Sequence, residues 1–428
     1  MKRDLSQKLI EWKNSPARKP LIIQGARQVG KTWLMKNFGE HNFEKYVYLN
    51  FESSTRLKDL FLPDYSIQRI IAAIEIETNQ QIDPGNTLLI FDEIQEAEKG
   101  LTALKYFCEN APEYYIVAAG SLLGVSIQKK HSFPVGKVDF LNLYPMSFTE
   151  FLASNNEERI ATEIKNANWD LLNSFHDRLV EQLRLYYYIG GMPEAVYAYQ
   201  QNKNLEVVRE IQNKILVGYA NDFAKYAPNE IVPKIKLVWN SIISQLSKEN
   251  KKFIYGQIKK GGRAKEFELA IAWLVDAGLI LKVHNLSKPE LPLNAYAEID
   301  NFKLYFLDIG LLNAMGGLDK QILLEKNTIL TEFKGALTEQ FVCQQLFPKI
   351  KLYYWSAPLG NAEIDFVFQK ENQVIPLEVK AEENLKAKSL KVFVEKFENP
   401  NAIRTSMSKF RKEDWLTNIP LYAVAITV

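Results

Sequence analysis

The sequence predicts an α/β chain whose amino-terminal part is a doubly wound parallel sheet. Three observations carry that expectation. Apolar, β-branched and aromatic runs at residues 21–23, 46–51, 87–91 and 115–119 alternate with helix-forming stretches. The third and fourth runs are nearly continuous, as in parallel strands buried on both faces. The first run opens directly into the glycine-bounded loop Gly25-Ala26-Arg27-Gln28-Val29-Gly30-Lys31-Thr32, with helix formers after it.

That loop completes the pattern G-x-x-x-x-G-K-[ST], in the strand–loop–helix context that gives the pattern its meaning. Gly25 and Gly30 permit backbone geometry that a β-carbon would block, so successive N–H groups can surround a phosphate. The helix after the loop points its positive end at the same anion. Lys31 would reach the β- and γ-phosphates of ATP, and the Thr32 hydroxyl would hold Mg²⁺.

Totals set the frame around this motif. A chain of 428 residues is too long for a single core and suggests two to four domains. Its apolar fraction of 47% and charged fraction of 24% are those of a globular protein. A net charge of +2 excludes a global nucleic-acid signature, so any such contact must come from a local patch. Cys108 and Cys343 have no metal-ligand spacing and read as reduced thiols in a cytoplasmic chain. The charged N-terminus lacks the apolar core of a signal peptide, and no stretch approaches the roughly 20 apolar residues of a membrane span.

In chain order, residues 46–51 read as the second strand and 67–78 as a helix, ended by Asp83-Pro84-Gly85-Asn86. Residues 87–93 form a strand that finishes in Asp92 and Glu93, at the carboxyl edge where ligands collect in open sheets. Asp92 would orient Mg²⁺ through its water shell, and Glu93 would polarise the water that attacks the γ-phosphate. A helix at 101–109 precedes a strand at 115–121. Ser121 at its end would hydrogen-bond near the γ-phosphate or the attacking water; a plain Gly-Ser turn is the alternative. A loop with Lys129, Lys130 and His131 leads to a fifth strand that starts at 134–140 and runs on to 143–148.

GARQVGKT, LLIFDE, AAGS, VGKVDFLNLYPMSFTEFL and GGMPEAV, in this order, resemble the motifs of a large group of prokaryotic P-loop ATPases. The group looks like part of the AAA+/archaeal-type ATPase clade and carries a C-terminal restriction-nuclease-like domain. The resemblance implies that 25–32 is the Walker A loop, Asp92 and Glu93 are Walker B, and Ser121 is a sensor. Members often have arginine where this chain has Lys137. A lysine there keeps a point charge and loses the bidentate fork.

Residues 151–226 turn helical and read as a lid over the nucleotide, with Arg178 and Arg184 as candidate phosphate contacts. Gly190-Gly191-Met192-Pro193 breaks the pattern, either as a hinge or as a tight helix–helix turn. Residues 235–246, 253–258 and 264–277 read as three helices, followed by a hairpin of 278–283 with 302–306. That order is a winged helix-turn-helix. Its approach is basic: Lys248, Lys251, Lys252, Lys259, Lys260, Arg263 and Lys265, with only Glu249 among acids before Glu266. Lys259, Lys260, Arg263 and Lys265 are the candidate DNA contacts; a solvated surface or a contact with the chain's own domains is the alternative.

The last segment combines a helix starting at 335–342 with strands at 362–368 and 375–380. Its order, Glu339…Asp365…Glu378-x-Lys380, resembles the PD-(D/E)XK nucleases, of restriction-endonuclease-like fold. Side chains alternate along a strand, so Glu378 and Lys380 share a face. The resemblance implies that Asp365 and Glu378 grip a second divalent metal, Lys380 activates water or neutralises the leaving phosphate, and Glu339 orients the metal water or Lys380. A buried ion-pair network in a fold that no longer cuts is the alternative.

The expected domains are therefore a P-loop ATPase at 1–150, a helical lid at 151–230, a winged helix at 231–325 and a restriction-endonuclease-like domain at 326–428. Three functions fit. One is an ATPase that drives or gates a conformational change on DNA or a protein partner. The second is a nucleotide-gated switch with slow turnover. The third is an ATP-regulated, metal-dependent DNA nuclease. An arginine finger from a second subunit would imply a ring or dimer, and no arginine in this chain is singled out for it.

Overall fold

The computed structural model describes residues 1–120, 134–248, 252–320, 331–358, 362–381, 387–399 and 401–428, with backbone alone for 331–333. Ser121, Lys129, Lys130, His131, Glu249 and Lys251 lie outside the described residues. The chain divides into two units: Lys2–Tyr144 with Asp276–Gly278, and Pro145–Val275 with Leu279–Val428, to which Met1 also groups.

A strand that is apolar throughout needs cover on both faces, and the first unit supplies it. Its five strands are β1 (Leu21–Gln24), β2 (Lys45–Asn50), β3 (Thr87–Asp92), β4 (Tyr115–Ala119) and β5 (Asp139–Asn142). They stand in the order β2-β3-β4-β1-β5, every pair parallel. All six residues of β3 are buried. Phe91 meets Phe51 edge-on at 5.6 Å and packs towards Phe61 and Phe107 in one apolar cluster. Burying one such side chain contributes about 2–3 kcal/mol.

The helices α1 (Leu5–Asn14), α2 (Lys31–Asn42), α3 (Ile67–Thr78) and α4 (Gly100–Asn110) complete this unit. α3 buries Ile67, Ile70, Ile71 and Ile74, the i, i+3, i+4, i+7 stripe of an amphipathic helix. Ser66 caps its start and Asn79, left-handed at φ 51°, ends it. Because the strands are parallel and β4 alone separates β1 from β3, the ends of β1 and β3 open on one edge.

The fifth strand is shorter than the expected 134–148. Residues 134–137 turn, with the Lys137 N–H bonded to the Pro134 carbonyl at 3.0 Å and Gly136 at φ 72°. β5 then pairs with β1 in the register Leu21 to Asp139.

In the second unit, Ser147 and Glu150 form a reciprocal capping box at the start of α5 (Phe148–Ser154). The helices α6 (Glu158–Lys165), α7 (Trp169–Ser174), α8 (His176–Ile189), α9 (Pro193–Asn202) and α10 (Leu205–Tyr226) follow. Next come α11 (Val232–Leu246), α12 (Tyr255–Ile258), α13 (Ala264–Asp276) and the antiparallel hairpin of β6 (Ile280–Leu286) with β7 (Ala297–Phe306). The rest is α14 (Ile309–Met315), α15 (Thr331–Leu346), β8 (Tyr353–Ser356), β9 (Glu363–Lys370), β10 (Gln373–Val379), α16 (Lys388–Phe397), β11 (Ala402–Ser406), β12 (Arg411–Lys412) and β13 (Leu416–Pro420).

One eight-stranded sheet, β12-β13-β11-β10-β9-β8-β6-β7, crosses the boundary expected at 325/326, because β6 pairs in parallel with β8. Among the described residues no helix is long and apolar enough to cross a membrane.

The Gly190-Gly191 break is a packed junction. A β-carbon on Gly190, at φ 75°, would stand 2.2 Å from Asp308 Oδ1, and one on Gly191 would stand 2.1 Å from the Met146 carbonyl oxygen. Asp308 is fully buried, and its Oδ2 accepts the Gly191 N–H at 2.6 Å and the Gln344 amide at 3.0 Å. Tyr186 OH donates to the Met146 carbonyl at 2.5 Å. With its backbone saturated by buried partners, the segment is a tight turn.

Candidate active site

The glycine loop begins where β1 ends. Gly25 has φ 144°, and a β-carbon on it would meet the Leu143 carbonyl oxygen at 2.1 Å, so glycine is required there. Gly30 is left-handed at φ 95° and caps α2. Arg3 steadies the loop from outside: its guanidinium donates to the Val29 carbonyl at 2.8 Å and the Tyr144 carbonyl at 2.6 Å.

Lys31 is 6% exposed, and its ammonium donates to the carbonyls of Gly25 at 2.9 Å and Ala26 at 2.8 Å. Burial holds its pKa down to about 8, against Glu93 and then Asp92, which pull it upward. The sixty-residue gap to the acidic pair is closed by one contact: Thr32 Oγ1 donates to Asp92 Oδ2 at 2.6 Å. Tyr48 OH donates to the same oxygen at 2.9 Å, and the Glu93 N–H to Asp92 Oδ1 at 3.2 Å. Burial, followed by the charge of Asp92, raises the Tyr48 hydroxyl to about 12.

Glu93 is left-handed at φ 52°, which turns the chain sharply off the end of β3. Its Oε2 accepts the Gln95 amide at 2.6 Å. Arg27 stands 3.9 Å from Glu52. The hydroxyl of Thr32 and the carboxylate of Asp92 are hard oxygen donors side by side, a set that fits Mg²⁺.

Lys137 is not part of this arrangement. It precedes β5 at the amino edge of the sheet, opposite the loop, and pairs with Glu109 at 2.9 Å. Arg178 pairs with Glu157. Lys259, Lys260, Arg263 and Lys265 are all exposed around the start of α13, and Lys259 lies 3.5 Å from Glu266.

The four residues of the C-terminal constellation each find partners. Glu378 on β10 is 3% exposed, and its Oε1 accepts from Lys380 at 2.8 Å. Burial pushes the Glu378 carboxyl above its ordinary range while Lys380 pulls it down. Asp365 Oδ2 accepts the Val379 N–H at 2.7 Å. Glu339 lies 3.3 Å from the Tyr305 hydroxyl and 3.9 Å from Lys303, which also pairs with Glu363. Among the described residues no group of three or more His, Cys, Asp or Glu is arranged to hold a metal ion. A second metal site is not shown among these residues.

The family model described as an AAA domain matches residues 17–152. This segment is an ATP-binding, P-loop ATPase domain of the AAA type. Beyond the AAA domain, two models described as domains of unknown function match 180–322 (DUF8612) and 334–424 (DUF4143). No curated protein matches the chain.

Solved structures similar to the chain include the Walker-type ATPase PABY2304 of Pyrococcus abyssi. It is 14% identical over 73% of this chain and 95% of its own, with a TM-score of 0.46. Another is the Aeropyrum pernix ORC1 protein in complex with DNA, 11% identical over 73% and 90%, TM-score 0.29. Drosophila ORC bound to DNA is 11% identical over 73% and 84%, TM-score 0.26. At these distances none of the three carries an argument about function.

Sequence reasoning missed four residues. Arg3, Tyr48 and Gln95 reach the site from positions with no motif of their own. Lys303 had a signal: a lone cation in the otherwise apolar run Phe302-Lys303-Leu304-Tyr305-Phe306.

Proposed function

We propose that the AAA domain hydrolyses ATP and that the cycle gates a conformational change in the rest of the chain. The observation that carries this reading is the 2.6 Å contact from Thr32 Oγ1 to Asp92 Oδ2. It brings two motifs remote in sequence to one edge of the sheet, beside the glycine loop. The loop N–H groups and Lys31 bind and orient the phosphates. Thr32 and Asp92 would hold Mg²⁺, which would neutralise charge on the transferring phosphoryl group. Glu93 takes the proton of the attacking water once its carboxylate leaves Gln95. Ser121 is assigned the hydrogen bond near the γ-phosphate.

The experiment is phosphate release by wild type and Glu93→Gln, with ATP binding measured in parallel. Glu93→Gln should lower turnover about 10²–10⁴-fold and leave affinity nearly unchanged. Equal turnover would remove Glu93 from this role. A nucleotide-gated switch with slow turnover has one observation in its favour, the Gln95 amide bound to Glu93 at 2.6 Å. Wild-type turnover already slow at saturating ATP would select it.

The elements α11–α13 with the β6–β7 hairpin form a winged helix on this reading, and the four exposed cations at the start of α13 are its DNA contacts. Their charge supports it.

A further inference from the structure

Lys303 lies inside β7, where Phe302 to Phe306 are all buried, and is itself 0% exposed. An ammonium so placed is tolerable only with close counter-charges. They come from elements far apart in sequence. Glu363 on β9 pairs with it directly, Glu339 on α15 stands 3.9 Å away, and the Tyr354 ring on β8 lies 4.8 Å from Nζ. Tyr305, two residues along β7, donates its hydroxyl to Glu339 at 3.3 Å.

The remaining acids of the cluster are also engaged. Glu378 Oε1 takes Lys380, and Asp365 Oδ2 takes a backbone N–H. Glu378 Oε2 is buried without a hydrogen bond. Among the described residues no three acids are placed to hold a metal ion, and an ammonium beside Glu339 and Glu363 would repel a divalent one.

We propose that Lys303 is the resident cation of this carboxylate cluster, so that the cluster takes no divalent metal. It ties the β6–β7 hairpin to α15 and β9 instead. The protein's own ammonium neutralises the acids permanently, and the eight strands are held as one body by charge as well as by the β6–β8 pairing.

The test is Mn²⁺ titration of the nucleotide-free full chain, followed by the paramagnetic resonance of free Mn²⁺ and by thermal unfolding. Wild type and Asp365→Asn should bind equal amounts of Mn²⁺. Lys303→Met should melt roughly 5–10 °C lower, since it removes the ammonium that Glu339 and Glu363 face, and added Mn²⁺ should restore part of the loss. Lys303→Arg should retain most of the stability.

One additional Mn²⁺ in wild type over Asp365→Asn would overturn the proposal. So would Mn²⁺-dependent plasmid nicking that Asp365→Asn abolishes, or unchanged melting of Lys303→Met. If Lys303→Met does not fold, the wild-type and Asp365→Asn comparison decides alone, equal binding upholding the proposal and unequal binding overturning it.

Discussion

Burial of Lys31 gives ATP binding a pH dependence that most phosphate sites lack below pH 10. The ammonium must be charged to meet the phosphates, yet in the nucleotide-free protein its pKa is about 8 instead of 10.5. About nine-tenths of the groups are protonated at pH 7 and about one-tenth at pH 9. Above pH 8, binding must therefore take up a proton. Affinity should fall about tenfold, or about 1.4 kcal/mol, from pH 8 to pH 9.2. The fall ends at the pKa of the bound state, which the phosphates raise.

The sign for stability is opposite. A lysine whose folded pKa is depressed binds fewer protons folded than unfolded between pH 8 and 10.5, so its contribution to the stability of the nucleotide-free protein rises across that window. The assay is titration with a fluorescent ATP analogue from pH 7.5 to 9.5 at constant salt and Mg²⁺. The γ-phosphate is already fully ionised there, with a second pKa of about 6. Tyr48, held at about 12, is silent in that range. Lys31→Met should bind weakly with no slope. A wild-type affinity that is flat from pH 7.5 to 9.5 would refute the reasoning.

Three further outcomes are expected. Arg3→Ala strips the Val29 and Tyr144 carbonyls of their donor, and ATP affinity in the same titration should drop by about 1–2 kcal/mol. Gly191→Ala puts a β-carbon 2.1 Å from the Met146 carbonyl oxygen, so thermal or urea unfolding should show a loss of about 3 kcal/mol or more. Replacing Lys259, Lys260, Arg263 and Lys265 by glutamine should flatten the salt dependence of DNA binding, by a log–log slope of about 0.9 for each phosphate that is no longer neutralised. An unchanged slope would clear those residues of DNA contact.

The nucleotide loop was legible because its function depends on local geometry. Gly25, Gly30, Lys31 and Thr32 lie within eight residues of one another, and Gly25 and Gly30 hold positive φ angles that favour glycine, so the pattern survives in one dimension. Strands β1, β3 and β4 were legible for a similar reason: burial on both faces demands an unbroken apolar run. Asp92 and Glu93 followed from their place at the end of one.

The fifth strand was over-read because 134–137 sets Val135 beside a glycine that in fact turns the chain. The place of Lys137 was likewise not legible, since sequence does not say which edge of a sheet a residue occupies. The roles of Arg3, Asp308 and Lys303 were also decided by tertiary structure alone. Each is a charged group whose meaning lies in partners remote in sequence, such as Tyr144 for Arg3, 141 residues away, and Gly191 for Asp308, 117 away. Glu339, expected to orient a metal water or Lys380, instead faces the buried ammonium of Lys303 together with Glu363. By itself the sequence determined the phosphate cradle and the strands that carry it, because both are written in local backbone and burial rules. Which charge answers which was left to the packing, because electrostatic partners are chosen by distance in space.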